Sequence, residues 1–444
     1  MEGFGRTYGR VLELGPFSGG ISFDLSARYP ALEFTLADDI EGYLAVLNEE
    51  IHRNGLGERF EIVDASMDNL PFGNESFDLV VLRGAFFFIL DKPHILSEVY
   101  RILAPGGFAF IGGGYGKGTP GSVIDGIAEE SRILNDRLGR CRVEISQLRG
   151  LLKQNVLEKC SEIVEEGGVW IQIRRRVNLA PVRKTSGLSE AFGLNRSEVI
   201  SLVGGGGKTT LMFKLAQELA HSGQTVITTT TTRIMEPMIE ESPCVIVEAD
   251  EQRLFTRLKE EIARHGHVSA ARLRPGDGKL KGLLPETVDK IVDLGLSDYI
   301  INEADGAARK PLKAPNATEP VIPSSTTLVL AVAGIDALNR PLSSEIAFRT
   351  ELITRLTGVP EGGIITSEVM ATLITAREGI TQHIPRDARV VPFLNKTELA
   401  VDRGEVEDLA AAILSRGNPS ITRVAAGSLK ALKPEYLVIE SELT

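Results

Sequence analysis

Short runs rich in Val, Ile and Leu alternate along this chain with longer stretches whose apolar residues recur every three or four positions. Val11-Leu12-Glu13-Leu14 reads as a buried strand, followed by an amphipathic helix from Ile21 to Arg28. Glu33 to Ala37 is a second strand, Gly42 to Asn54 a helix, Phe60 to Val63 a third strand and Phe77 to Leu82 a fourth. His94 to Leu103 is helical, and Pro105-Gly106-Gly107 turns into the strand Phe108 to Ile111. Residues 121–156 read as helical, a lid over the site. The rhythm breaks from Asn178 to Ser197, where Pro181, Ser186, Gly187 and Gly193 interrupt any period, so 178–197 reads as a linker. It then resumes with strands at Val199–Val203, Gln224–Ile227, Tyr299–Asn302, Thr327–Val332 and Arg389–Leu394. Alternation of strand and helix builds parallel sheets covered on both faces. The expected fold class is α/β, with two doubly wound domains over residues 1–177 and 198–444.

Composition narrows the class. A chain of 444 residues exceeds one ordinary core, in line with two domains. Its 43% hydrophobic and 25% charged content is that of a globular protein. A net charge of −11 supplies no basic excess for broad phosphate contact, so nucleic acid is not expected as a partner. Cys141, Cys160 and Cys244 form no CxxC pair and no even framework, which fits structural thiols in a reducing compartment. Met1 to Gly5 has no signal-peptide core, and the apolar run Leu79 to Leu90 is too short to span a bilayer and contains Arg83. The expectation is a cytoplasmic protein without a membrane partner.

On parallel sheets ligands sit beyond the carboxyl ends of the strands, and the polar groups of the first half fall there. Gly15 and Gly19 let a ligand approach the backbone after strand one. Asp38, ending strand two, can accept from both hydroxyls of a ribose, and Asp64, ending strand three, from an adenine amino group. Phe17 stands where a second glycine would complete G-x-G-x-x-G, which disfavours a dinucleotide. Arg83 and Tyr115 are weaker candidates for the substrate side. Gly112 to Gly121 reads as a mobile loop over the cofactor or substrate.

The segment from Gly9 to Val177 resembles the class I S-adenosylmethionine-dependent methyltransferases. The likeness rests on Val11 through Gly19, Asp38, Asp64-Ala65, Leu70-Pro71-Phe72, Ser76 to Val81, and Glu98 to Gly107, in that order. It implies a Rossmann-like seven-stranded sheet ending in an antiparallel hairpin, supplied here by Cys160–Val164 and Val169–Arg174. It also implies S-adenosyl-L-methionine held by Glu13, Gly15, Gly19, Asp38, Asp64 and Ala65, with a small molecule as methyl acceptor. The Leu82-Arg83-Gly84-Ala85 sequence after strand four lacks an Asn/Asp-Pro-Pro-aromatic signature, which argues against methylation of base amino groups.

The second half turns on Gly204-Gly205-Gly206-Gly207-Lys208-Thr209-Thr210, between a strand and a helix. Glycines let backbone N–H groups converge on phosphate, and the helix start adds unpaired N–H groups and a favourable dipole. Lys208 would reach the outer phosphates and the Thr209 hydroxyl would hold Mg²⁺, although Leu202 replaces the first glycine of G-x-x-x-x-G-K-[ST]. Asp305 and then Glu303, at the next strand's end, are candidate Mg²⁺ ligands, and Lys208 and Asp305 the candidate catalytic pair. The hydroxyls of Thr228 to Thr232, with Arg233, could meet phosphate or Mg²⁺ waters, and the basic loop Arg309 to Pro315 could clamp an anion. Asn395-Lys396-Thr397-Glu398 parallels the guanine-reading N-K-x-D, or caps a helix, which leaves ATP or GTP open.

Ser197 to Leu437 resembles the selenium-dependent molybdenum hydroxylase accessory proteins of the YqeC type. The likeness rests on Val203–Thr210, Ile227–Arg233, Glu303–Ala307, Lys310–Pro315, Glu319–Pro323, Gly334–Ala337 and Pro392–Lys396. It implies a P-loop NTPase-like sheet and a role in maturing such hydroxylases, with an apo molybdenum hydroxylase or its cofactor as partner. Other readings are a non-catalytic, nucleotide-switched chaperone and, less favoured by the acidic balance, an RNA methyltransferase with an NTPase domain.

Overall fold

The computed structural model describes all residues except 1–3, 5–7, 68, 84, 85, 87, 88, 115–118, 127–132, 134–142, 166, 277, 443 and 444. Tyr115 and Cys141 lie outside the described residues. The chain forms two units, Met1–Val177 and Asn178–Thr444.

In the first unit the strands are β1 (Tyr8–Leu14), β2 (Ala31–Asp38), β3 (Phe60–Asp64), β4 (Phe77–Leu82), β5 (Leu103–Gly114), β6 (Ser161–Val164) and β7 (Gly168–Arg174). They form a seven-stranded sheet in the order β3-β2-β1-β4-β5-β7-β6. The first five strands pair in parallel, and β5–β7 and β7–β6 are antiparallel, as the resemblance implies. Helices cover both faces: Leu96 and Val99 pack with Leu12, Val80 and Ile111 on one, Leu47 and Ile51 with Val11 and Phe34 on the other. The helix Ile145–Gln154 is not a lid, because Leu148, Leu151 and Leu152 are part of the core. Gly112 to Gly114 are likewise no loop. They end β5 opposite Trp170, Val169 and Gly168, and a Cβ on Gly112 would stand 2.3 Å from the Val169 carbonyl.

Strands of the second unit are β8 (Arg183–Thr185), β9 (Glu198–Gly204), β10 (Val226–Thr230), β11 (Arg233–Met235), β12 (Val245–Val247), β13 (His267–Ala271) and β14 (Lys279–Lys281). Then follow β15 (Tyr299–Glu303), β16 (Leu312–Lys313), β17 (Leu328–Gly334), β18 (Ala347–Phe348), β19 (Arg389–Asn395), β20 (Arg423–Gly427) and β21 (Tyr436–Glu440). The main sheet has ten strands in the order β12-β13-β10-β15-β9-β17-β19-β20-β21-β8. It is parallel up to β20, and β21 and β8 close it antiparallel. The core-facing runs of β9, β15 and β17 are buried throughout, as expected of central parallel strands.

Much of the expected linker is structured. Arg183–Thr185 is the sheet's edge strand, and Leu188, Ala191 and Phe192 of the helix Leu188–Phe192 are buried in the core. Glu218 caps that helix, accepting from Leu188 N at 2.7 Å and Ser189 N at 2.8 Å. Five residues are too few to show a helical period, so the sequence looked aperiodic there. Among the described residues no helix is long and apolar enough to cross a membrane.

Candidate functional site

At the carboxyl end of the first sheet, Asp38 and Asp64 are paired in register at the ends of β2 and β3. Asp38 is nearly buried and accepts from its own turn, Ile40 N, at 3.0 Å. Burial pushes its carboxyl up, against the backbone donors at Ile40 and Asp39. Asp64 is exposed, and Ala65 N–H donates to the Asp38 carbonyl at 3.0 Å, which ties the two strand ends together. Gly15 N–H donates to the Ala37 carbonyl at 2.9 Å, so the turn after β1 lies against Asp38's strand. A Cβ on Gly19 would meet Leu47 Cδ2 and the Phe23 ring at 2.9 Å. Phe17 leaves the turn at its exposed tip and meets Tyr43 edge-on, with ring centroids 5.7 Å apart.

Glu13 has a different task from the one expected. Its Oε2 accepts from Ser22 N at 3.1 Å and Ser22 Oγ at 2.5 Å, fastening β1 to the first turn of the helix Gly20–Arg28. Burial pushes its carboxyl up, opposed by the Ser22 hydrogen bonds and by the charge of Arg83. Glu13 therefore positions the turn. Arg83 spans two strand ends, donating to the Gly114 carbonyl from Nε at 3.2 Å and Nη2 at 2.9 Å.

In the second unit the turn between β9 and the helix Lys208–His221 is drawn into the protein. Three of its amides serve the chain itself. Gly204 N–H donates to Asp305 Oδ2 at 3.1 Å, Gly205 N–H to the Val332 carbonyl at 2.9 Å and Gly206 N–H to the Lys310 carbonyl at 2.9 Å. This corrects the expected cradle of amides from Gly204 to Thr210. Leu211 N–H is the first to close a helical bond, to the Gly207 carbonyl at 3.0 Å. The N–H groups of Gly207, Lys208, Thr209 and Thr210 therefore have no intrahelical acceptor at a helix start with no side-chain cap.

Lys208 is buried, and its Nζ lies 2.6 Å from the Gly204 carbonyl, 3.1 Å from Asp305 Oδ1 and 3.7 Å from Glu303 Oε1. Burial pulls its ammonium down, but the charges of Asp305 and Glu303 outweigh that and leave it raised. Thr209 Oγ1 donates to Glu303 Oε2 at 2.7 Å. Burial pushes the Glu303 carboxyl up, although Lys208 and Thr209 oppose it. The hydroxyl–carboxylate pair at Thr209 and Glu303 is thus the better metal position. Asp305, expected first, is fully buried and engaged by Gly204 N–H, Lys208 and Lys313 Nζ, the last at 2.9 Å.

Within the basic loop Arg309 is exposed and Lys310 half-buried, but Lys313 turns inward. Lys313 is fully buried, and its Nζ also lies 3.0 Å from Glu319 Oε2 and 2.8 Å from the Gly306 carbonyl. Arg349 reaches the same Glu319 oxygen at 2.8 Å. Lys208, Lys313 and Arg349 are thus interleaved with Glu303, Asp305 and Glu319, a chain of charges running from the glycine turn through buried Lys313 to half-buried Glu319 and Arg349. Arg349 carries no site signal in the sequence, and Glu319 enters there only within the Glu319–Pro323 likeness.

The threonines also turn inward. Thr228 Oγ1 meets His267 Nε2 at 3.0 Å and Ser269 Oγ at 2.7 Å, Thr229 Oγ1 the Ala270 carbonyl at 2.8 Å, Thr230 Oγ1 the Glu303 carbonyl at 2.7 Å and Thr231 Oγ1 the Val321 carbonyl at 2.5 Å. They lace β10 to its neighbours, and Arg233 is exposed on β11. Asn395 Nδ2 donates to the Gly206 carbonyl at 2.7 Å, while its Oδ1 accepts from Lys396 N at 2.8 Å and Leu429 N at 3.2 Å. Lys396 Nζ pairs with Asp336 Oδ2 at 2.7 Å, and Glu398 is exposed. Asn395 therefore braces the turn from the side of β19 and β20, and Glu398 does not join it.

Comparison with known proteins divides the chain in the same way. A family model described as YqeC protein matches residues 200–351, and one described as methyltransferase domain matches residues 12–111. The uncharacterized protein YqeC of Escherichia coli (strain K12) is 34% identical over 201 residues, 45% of this chain and 77% of that protein. The demethylmenaquinone methyltransferase of Thermus thermophilus is 36% identical over 98 residues, 22% of this chain and 44% of its own length. The ubiquinone/menaquinone biosynthesis C-methyltransferase UbiE of Xanthomonas oryzae is 35% identical over 101 residues, 22% of this chain and 40% of its own length. The chain thus spans about two fifths of the length of those two relatives. A crystallised Methanococcus maripaludis protein, described as a candidate S-adenosyl-L-methionine-dependent methyltransferase, is 27% identical with a TM-score of 0.35, covering 39% of this chain and 80% of that one.

Proposed function

Since the chain belongs to the YqeC family and carries an S-adenosyl-L-methionine-dependent methyltransferase domain ahead of that unit, we propose that it is a two-part maturation factor. In this reading the first unit methylates a small molecule, and the second binds a Mg²⁺-nucleotide and uses it in selenium- or molybdenum-dependent hydroxylase maturation. The partner is an apo molybdenum hydroxylase or its cofactor.

One observation carries the nucleotide reading. Four N–H groups without an intrahelical acceptor, Gly207 to Thr210, begin a helix beside Lys208 and the Thr209–Glu303 pair. Those amides and the helix dipole suit the inner phosphates. Lys208, freed from the Gly204 carbonyl, would meet the outer ones, and Thr209 with Glu303 would hold Mg²⁺, which supplies charge neutralisation there. In the first unit, Asp38 would accept from the ribose hydroxyls, with Gly15 and Gly19 keeping side chains out of the methionine's way. S-adenosyl-L-methionine supplies an electrophilic methyl group, and the turn's part is to align it with the acceptor.

The rest position of Lys208 favours a second reading of the same unit, a nucleotide-switched chaperone. Drawing Lys208 onto a phosphate would take a positive charge away from Asp305, and Asp305 is joined through Lys313 to Glu319 and Arg349. Thermal-shift measurements with Mg-ATP, Mg-GTP and S-adenosyl-L-methionine test the binding claims. A shift with S-adenosyl-L-methionine but none with nucleotide, with or without Mg²⁺, rejects both readings of the second unit. Steady-state phosphate release separates an NTPase from a switch.

A further inference from the structure

At the outer edge of the second sheet, away from the glycine turn in sequence, three side chains of different chemistry meet. Cys244 immediately precedes the edge strand β12. Glu261 and His265 lie four residues apart in the last turns of the helix Glu251–His265, and so share a face. One donor atom from each of the three lies within 4.8 Å of the other two. His265 Nε2 is 3.3 Å from Glu261 Oε2. Ligands around a four-coordinate zinc stand about 3.5 Å apart, given bonds of 2.0–2.3 Å, so small side-chain rotations close the set.

The frame around the three is fixed. The Cys244 carbonyl accepts from Ser269 N at 2.8 Å and from Ser242 Oγ at 3.0 Å, which pins the backbone carrying the thiol. Gly266 ends the helix directly after His265 with φ of 68°, accepting that sharp reversal where a side chain would be strained. Arg264 Nη1 takes Glu261 Oε1 at 2.8 Å, leaving Oε2 as the oxygen turned toward the histidine. The carboxyl end of the helix also favours a cation.

We propose that Cys244, Glu261 and His265 form a zinc site with an open fourth position. A thiolate, a carboxylate and a neutral imidazole balance the charge of a divalent ion, and their mixed sulfur, oxygen and nitrogen donors suit zinc over magnesium or calcium. His265 is partly exposed, so water or a donor from another molecule can complete the coordination.

Cobalt(II) titration of the chelator-treated full-length protein tests this, because cobalt reports its own ligands. One equivalent should produce a thiolate-to-cobalt charge-transfer band with four-coordinate visible bands, and zinc should erase both. Cys244→Ser should abolish the band, and His265→Gln and Glu261→Gln should each weaken binding at least tenfold. All three should leave the circular dichroism and nucleotide shifts unchanged. No thiolate band in the parent protein would overturn the proposal. So would a band that survives Cys244→Ser and disappears in Cys160→Ser or Cys141→Ser, or an affinity unmoved by His265→Gln.

Discussion

Each sheet sends its glycine-rich turn out after a comparable strand, β1 or β9, and the two turns end in different surroundings. The first reaches solvent: Phe17 is 45% exposed, and a Cβ on Gly20 would have only Ser18 Oγ within 4 Å, at 3.7 Å. The second is enclosed: a Cβ on Gly206 would lie 2.3 Å from Gly334 N, and the amides of Gly204, Gly205 and Gly206 all bond the chain itself. Glycine marks where the backbone must be bare. It does not say whether a ligand or the protein's own backbone needs the room.

Their electrostatic settings differ as well. The first turn rests on one buried carboxylate, Glu13, satisfied by Ser22. The second rests on alternating charges from Glu303 to Arg349. The largest effect should come from breaking that chain at its centre. Lys313→Met leaves Asp305 and Glu319 facing each other without their shared ammonium, and should lower the second unit's stability by about 3–5 kcal/mol. Chemical denaturation read by hydrogen exchange in each unit checks it, with the first unit unchanged.

Gly206→Ala should follow, at about 3 kcal/mol, from overpacking together with a φ of 79°. The matched change in the other turn, Gly20→Ala, should stay within about 1 kcal/mol and favour the helix it opens. Equal losses from the two substitutions would erase the contrast between the turns.

A pH series sharpens the comparison further, since the buried titratable groups pull in opposite directions. Burial pushes His267 down to about 4 from 6.5, so the unfolded chain takes up its proton first. Stability present above pH 6.5 is then lost as pH falls toward 4, by about 3 kcal/mol in all. Glu13 is raised, so its contribution is full below the ordinary glutamate value and fades as pH rises through the native one. His267→Asn should flatten the acid-side loss in the second unit alone, and Glu13→Gln the opposite slope in the first.

The smallest effects concern ligands. Asp38→Asn should weaken S-adenosyl-L-methionine about tenfold, about 1.4 kcal/mol, through loss of a charged acceptor. It should leave nucleotide affinity unchanged. Thr209→Val should do the reverse, removing the Mg²⁺ dependence of nucleotide binding. Calorimetric titration of each ligand against each variant checks both.

These contrasts also mark what the sequence could reveal. Both sheets were legible because each central strand is a short apolar run followed by a helical period, as at Val11–Leu14 and Val199–Val203. Asp38, Asp64, Lys208, Thr209 and Glu303 were legible because strand ends and glycine turns announce themselves locally. The partners of those groups were not. Lys313 reads in sequence as one cation of an anion-clamping loop, yet it is buried between Asp305 and Glu319, contacts made across the fold. The hydroxyls of Thr228 to Thr231 looked free for a ligand because nothing local shows that β13, Glu303 and Val321 receive them. The helix Leu188–Phe192 is held by Glu218, 30 residues away, and has no periodic signal of its own.

In the proposed function, the N–H groups of Gly207 to Thr210, with Thr209 and Glu303 beside them, hold a nucleotide's phosphates and its Mg²⁺. Isothermal titration of the full-length protein with Mg-ATP and Mg-GTP tests it most directly. One nucleotide should bind per chain, in a Mg²⁺-dependent manner, and Lys208→Ala should abolish that binding. A protein that binds S-adenosyl-L-methionine normally but neither nucleotide, with or without Mg²⁺, would contradict it.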